Sequence, residues 1–355
     1  MRSLVATVAC VIATTTACFK SRGPSLCPSG APRDSSMPCP DGGTASRGAG
    51  AVASRMVTVA PGVVLEVVDW GGRGQPLVFL AGLGSTAHVF DTFAPRFTDH
   101  FHAIGITRRG FGASAGALPP NSLDTLVADL TTVLDSLKLD KVVLVGHSIA
   151  GEEMTRFAEL HGRRCDGLIY LDAAYDRSRI DSIAARQPSV PGPEIRPEDT
   201  TSFIGMRALY ARVLGVEEPE SDIRATERFD SAGHYRGSVT SNALKARVTS
   251  GKQVARYDRA HCPALAIYAV PDSVVDVVPY YKELDVAGLA HAESLLAFVQ
   301  SVVADSRRRV GRLPRYSIVD IHGSNHHLFL QRPGEVAAAM RTFLYRTRSP
   351  RVDSL

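Results

Sequence analysis

The run Lys141-Val142-Val143-Leu144-Val145 passes without a break into Gly146-His147-Ser148-Ile149-Ala150-Gly151 and then into an amphipathic segment ending near Glu159. A strand with no polar alternation has both faces covered, which is the condition of a parallel sheet held between helices. The same unit recurs along the chain. Gly62 to Trp70, Gln75 to Ala81, His102 to Ile106, Gly167 to Leu171, Ala264 to Ala269 and Tyr316 to Val319 read as further strands. Asn121 to Leu139 carries Leu123, Leu126, Val127, Leu130, Leu134 and Leu137 at helical spacing, and Val336, Met340, Phe343 and Leu344 line a last helix. Strands alternating with helices specify an α/β fold: a doubly wound, mostly parallel central sheet with flanking helices. Between about 176 and 261 the pattern lapses into Pro- and Arg-rich helical fragments, expected to form a lid insertion. Pro279 to Arg309 reads as mainly helical, and its length has no functional explanation in the sequence.

The amino terminus lies outside this pattern. Arg2 precedes an apolar run, Leu4 to Ala17, too short to span a bilayer but suited to the core of a signal peptide over residues 1–18. Thr15-Thr16-Ala17-Cys18 is similar to a bacterial lipobox with threonine in place of leucine. The run therefore implies export, with lipid attachment at Cys18 as a membrane tether or plain cleavage and secretion as the outcomes; a cytoplasmic start at Met56 is the third reading. Residues 19–55 are rich in Ser, Pro, Gly, Ala and Arg and read as a flexible linker, leaving 56–350 as the folded domain. Cys27 and Cys39 would close a small loop in an exported chain, and Cys165 and Cys262 read as buried thiols or as a second disulfide. A net charge of +4 over 355 residues leaves no basic face for nucleic acid, and 45% hydrophobic residues fit an ordinary globular body.

Chemistry concentrates where the first strand described meets its helix. A serine at a sharp strand-to-helix turn needs small neighbours two positions away on either side, and Gly146 and Ala150 supply them. On these residues the chain resembles the α/β-hydrolase family, over about residues 57–347, with Ala150 departing from the usual glycine. The resemblance implies Ser148 as nucleophile. Phe79-Leu80-Ala81-Gly82-Leu83-Gly84 stands where the family usually has a His-Gly pair, which implies backbone N–H groups of Leu83 and Ile149 as the oxyanion hole. Arg108-Arg109-Gly110-Phe111-Gly112-Ala113-Ser114 is similar to a structural turn of the family, with Thr107 where aspartate is frequent.

The segment His322-Gly323-Ser324-Asn325-His326-His327-Leu328 to Pro333 follows a strand and is similar to the family's histidine loop. Counting back seven from Pro333 selects His326 as the base, with His327 and then His322 as rivals. Ala266-Ile267-Tyr268-Ala269-Val270-Pro271-Asp272 places Asp272 just past a strand end, as the family's usual acid is placed. Asp276, four residues on, is its alternative. Asp172 and Asp176 stand at an acid position used by other members, Asp172 reading first as a structural carboxylate at a strand end.

The order Ser148, Asp272, His326 is that of the family. It implies a serine hydrolase cleaving a carboxylic ester or related acyl compound through an acyl-enzyme, acting on a small molecule and needing no cofactor or metal. Members that open epoxides or displace halide use aspartate as nucleophile, so Ser148 speaks against both. An aminopeptidase of the proline-iminopeptidase kind, or an amide or C–C bond hydrolase, would use the same triad. The acidic residues Glu217, Glu218, Glu220 and Asp222 would suit a substrate amine in the first of these, and read otherwise as a solvated surface. A non-catalytic binding protein on the same scaffold is the third class, one that would not need all three groups.

Overall fold

The structure is a computed structural model, and it describes residues 52–114, 122–178, 180, 187–251 and 253–348. The expected signal peptide and nearly all of the linker fall outside these residues. The first strand, β1 (Ala53–Ala60), begins three residues inside the segment read as linker. It pairs antiparallel with β2 (Val63–Gly71). Next come β3 (Gln75–Leu80), β4 (Phe101–Ile106), helix α1 (Leu123–Ser136), β5 (Val142–His147), helix α2 (Ala150–Leu160) and β6 (Cys165–Leu171). The chain ends with β9 (Ala264–Val270), helix α6 (Val286–Val310), β10 (Tyr316–His322) and helix α7 (Pro333–Arg348). The eight strands lie in the order β1-β2-β4-β3-β5-β6-β9-β10, parallel from β4 onward.

The two-residue period of each strand divides the core. Val78, Leu80, Val142 and Leu144 face one side, where α1, α2 and α6 cover them with Val133, Met154, Phe157, Phe298 and Val303. Leu77, Phe79, Val143 and Val145 face the other side, against Phe90, Phe93, Phe97, Phe329 and Met340. By length and composition α6 could cross a membrane, but Phe298, Val299, Val303 and Val310 bury one side of it in the first of these cores. Nearer its start, Ala292 packs against the insertion between β6 and β9 instead, so the helix spans that core and the one at the insertion.

Between β6 and β9 the chain forms an insertion of helices α3 (Phe203–Leu214), α4 (Glu220–Thr226) and α5 (Asn242–Ser250), with a small hairpin of β7 (Glu227–Phe229) and β8 (Tyr235–Ser238). The stripe Met206, Leu209, Tyr210 and Val213 packs with Ile223 and with Val278, Tyr280 and Ala292 from the chain after β9, a core that the insertion shares with that segment. Polar contacts fasten the insertion to the sheet body: Thr240 Oγ1 donates to the Gly110 carbonyl (3.0 Å), Ser221 Oγ to Asp91, and Asn325 Nδ2 to the Leu214 carbonyl (2.8 Å).

Cys165 and Cys262 are joined as a disulfide, the second of the two readings of these thiols. It ties the entry of β6 to the segment just before β9 across 97 positions. Closing so long a loop removes conformational freedom from the unfolded chain. Replacing both cysteines by alanine is therefore expected to lower the unfolding free energy by about 3–5 kcal/mol, read by urea denaturation against the oxidised parent.

Candidate active site

Ser148 sits between β5 and α2 with φ of +56°, a left-handed conformation that is costly for a side chain with a Cβ. The turn is held by its N–H, which donates to the Leu171 carbonyl (3.3 Å), and by the tight entry of α2. A Cβ built on Gly151 would stand 2.1 Å from the Ala173 carbonyl oxygen, so glycine alone lets the helix lie against the chain leaving β6. Gly82 works in the same way on the other side: its Cβ would meet His147 Nδ1 at 2.8 Å and Ser148 Cβ at 3.2 Å. The loop carrying Leu83 thus lies directly against the serine. Among the described residues, neither the Leu83 nor the Ile149 backbone N–H finds an intramolecular acceptor. Arg108, buried and paired with Glu153 (2.6 Å), fixes that loop by donating to the Ala81 (2.9 Å) and Gly82 (3.3 Å) carbonyls.

His326 is buried beside the serine turn, and its partner differs from the one expected. Nδ1 meets Asp172 Oδ2 at 2.6 Å. Asp172 is the first residue past β6, the strand next to β5, and like Ser148 it has a positive φ, +46°. Its other oxygen accepts from the Ala269 N–H (3.1 Å) and from the Tyr175 hydroxyl. The tautomer that donates Nδ1–H to Asp172 leaves the Nε2 lone pair available, and Nε2 is buried with no partner among the described residues.

Asp272 does not reach this imidazole. Its side chain is 58% exposed and its Oδ1 lies 3.4 Å from Nδ1 of His322, an exposed histidine. The reason is local: past β9 the chain turns outward into a short helix, Val274–Val277, capped by Asp276, whose Oδ2 accepts from the Asp272 and Ser273 N–H groups at 3.0 Å each. That capping occupies Asp276 as well. Asp176 accepts from the Ser178 hydroxyl (2.5 Å). Of the candidate acids, Asp172 alone is brought to His326. A signal for it was in the sequence: Asp172 follows the apolar run Gly167-Leu168-Ile169-Tyr170-Leu171 as the Ser148 turn follows β5.

The neighbouring histidines have structural duties. His147 Nε2 donates to the His326 carbonyl (3.0 Å), and its ring lies 4.5 Å from that of His326, centre to centre. The N–H of His327 donates to Asn325 Oδ1 (2.8 Å). Burial, seconded by the charge of His326, pushes His147 well below the ordinary imidazole value and His327 down to about 3.

Arg177 has no counterpart among the residues that the sequence singles out. Arg177 is 7% exposed and donates from Nη2 to Ser148 Oγ (3.3 Å). The acidic run is only half a solvated surface: Glu217 and Glu220 are exposed, whereas Glu218 and Asp222 are buried, with Asp222 accepting from the Thr86 N–H (2.9 Å) and hydroxyl. Burial raises both carboxyls, Asp222 to about 6, a value also restrained by the Thr86 bonds. Among the described residues no group of His, Cys, Asp and Glu forms a metal-binding cluster.

A pH titration follows from the buried rings. His327 binds its proton only near pH 3, whereas in the unfolded chain it does so near 6.5, so its contribution to stability is complete above 6.5 and is lost as pH falls toward 3. Ring resonances of His147 and His327 are expected to stay those of neutral imidazole from pH 8 down to 5, and His327→Gln to lessen the acid sensitivity of unfolding.

A model of the alpha/beta hydrolase family matches residues 77–339. A putative non-heme haloperoxidase of Mycobacterium phage D29 is 33% identical over 117 residues, 32% of this chain and 41% of that protein, so the chain spans about two fifths of the length of this relative. Epoxide hydrolase A of Mycobacterium tuberculosis is 26% identical over 340 residues, 83% of this chain and 98% of that protein. The crystal structure of E-2-(acetamidomethylene)succinate hydrolase is similar with a TM-score of 0.60 at 18% identity, covering 83% of this chain and all of that one, a likeness of fold. With the family match running through most of the sheet and the Ser148, Asp172 and His326 positions, this chain belongs to the alpha/beta hydrolase family.

Proposed function

We propose that the protein cleaves a carboxylic ester or a related small acyl compound through an acyl-enzyme on Ser148, with His326 as base and Asp172, in place of Asp272, as its acid. The observation that carries this reading is the buried Asp172–His326 hydrogen bond beside a serine held at positive φ. Strain of this kind persists where the surroundings enforce it, and two such residues at adjacent strand ends mark a site built for chemistry.

In the reaction, Ser148 Oγ attacks the acyl carbonyl as its proton passes to His326 Nε2. Asp172 keeps Nδ1 protonated and stabilises the imidazolium. The carbonyl electrons move onto oxygen, where the Leu83 and Ile149 N–H groups stabilise the charge; one such donor is worth about 3 kcal/mol. Collapse expels the alcohol, which takes the proton from His326. Water, deprotonated by His326, then attacks the acyl-enzyme and releases the acid.

The aminopeptidase reading has one observation in its favour, the burial of Glu218, Asp222 and Glu227, each with an oxygen that lacks a hydrogen-bond partner. Burial raises the proton affinity of Glu218 and Asp222 and makes these two poorer receptors for an ammonium group than free carboxylates, so the ester reading stands first. The Cys165–Cys262 disulfide supports the further proposal that the chain is exported, with residues 1–18 as its signal and Cys18 open to lipidation. Intact mass of the protein recovered from its native host tests this: retention of residues 1–18 would overturn it.

A fluorophosphonate is expected to label Ser148, and Ser148→Ala to lower kcat for every accepted ester by at least about a thousandfold. Asp172→Asn is expected to cost about 10⁴ in kcat, while Asp272→Asn stays within about twofold of the parent. Equal losses in the two aspartate variants would refute the assignment of Asp172.

A further inference from the structure

We infer that Arg177 binds a carboxylate carried on the acyl part of the substrate, so that the site takes anionic acyl compounds such as half-esters of short dicarboxylic acids. This rests on the serine-hydrolase reading and names its substrate class. Three arginines are buried in the sheet body, and they are not alike. Arg108 gives Nε to the Glu153 carboxylate and its two Nη groups to backbone carbonyls. Arg109 forks onto both oxygens of Asp129. Arg177 has the Ser148 hydroxyl as the acceptor of its Nη2. Its Nε is buried with no hydrogen-bond partner among the described residues, the Glu152 Oε1 standing 3.9 Å away, beyond hydrogen-bond reach.

A guanidinium offers five donors in a planar fork that matches a carboxylate in two-point contact. A single neutral hydroxyl is a poor answer to that fork. The other carboxylate close to the nucleophile is committed: Asp172 is filled by His326, Tyr175 and the Ala269 N–H. The unmet demand of Arg177 is therefore for an anion that arrives with the substrate. Its position sets the reach. A carboxylate oxygen bonded to Nη2 lies within about 6 Å of Ser148 Oγ, which places the anionic group one to three carbons from the reacting carbonyl. Half-esters of succinate and glutarate have that spacing.

The test compares, on the full-length protein in a pH-stat, monoethyl succinate and monoethyl glutarate with the neutral ethyl pentanoate. The parent is expected to favour one of the anionic esters by at least about tenfold in kcat/KM, and Arg177→Gln to reduce that ratio at least about tenfold, chiefly through KM, with Arg177→Lys between them. Calorimetry gives a readout without turnover: free glutarate is expected to bind the parent, and to bind Arg177→Gln at least about tenfold more weakly. An unchanged ratio in Arg177→Gln, or a parent that favours the neutral ester, would overturn the proposal and leave Arg177 as an ion-pair partner of Glu152. If the glutamine variant does not fold, the lysine variant and competition of glutarate against pentanamide for the parent decide in the same terms. Failure of Ser148 to label or to turn over any ester sinks the hydrolase reading instead, and the glutarate isotherm still decides whether Arg177 is an anion site.

Discussion

The parallel registration of β5, β6 and β9 is the constraint on which the rest of the site depends. Ser148 and Asp172 are each the first residue beyond a strand end, and the two strands are hydrogen-bonded neighbours, His147 opposite Leu171. The Asp172 N–H extends that ladder to the Ile267 carbonyl on β9 (2.8 Å), and the carboxylate turns back to the Ala269 N–H. Ser148 and Asp172 are therefore placed by backbone pairing of strands buried along nearly their whole length, the most rigid element available. Only the histidine arrives on a loop, and His147 fastens that loop from within β5 by holding the carbonyl of His326 itself.

The insertion belongs to the same electrostatic economy. Glu218, Asp222 and Glu227 are buried where it meets the sheet body, and Asp222 holds Thr86, at the start of the segment following the Leu83 loop. Buried carboxyls without full partners are costly, and Glu218 and Asp222 resist ionisation because of it. Their cost is offset by the apolar packing of Met206, Leu209 and Ile223 around them and by the Thr86 and Tyr210 hydroxyls they accept.

Much of this architecture was legible in the sequence because it depends on periodicity. Strands with unbroken apolar runs and the long α1 stripe declare themselves, as do the nucleophile turn and the histidine loop, whose geometry demands residue types at fixed spacing. The distance of Asp272 from His326 is not legible in the sequence, because a carboxylate past a strand end looks the same whether the next turn goes inward or outward. What decides is the capping of Val274–Val277 by Asp276, a three-dimensional fact. The left-handed conformation of Asp172 leaves no trace in residue type, since aspartate tolerates it without being required. Arg177 was silent for a different reason: one arginine among many shows no period, and its burial follows from where the chain after β6 folds back over α2. The edge strand β1 escaped notice because its exposed, mixed residues resemble linker composition.

The disulfide has a consequence for the topology of the covalent chain. Ser148 precedes Cys165 and His326 follows Cys262, so the bond bridges the two stretches of sequence that carry these two residues. Asp172, Arg177 and the whole insertion lie inside the ring it closes. A peptide bond cut within the insertion opens that ring without separating the molecule, and both pieces remain one covalent body aligned at the roots of β6 and β9. The part of the chain freest to vary can thus be broken or rebuilt while the distance between serine and histidine stays under covalent control.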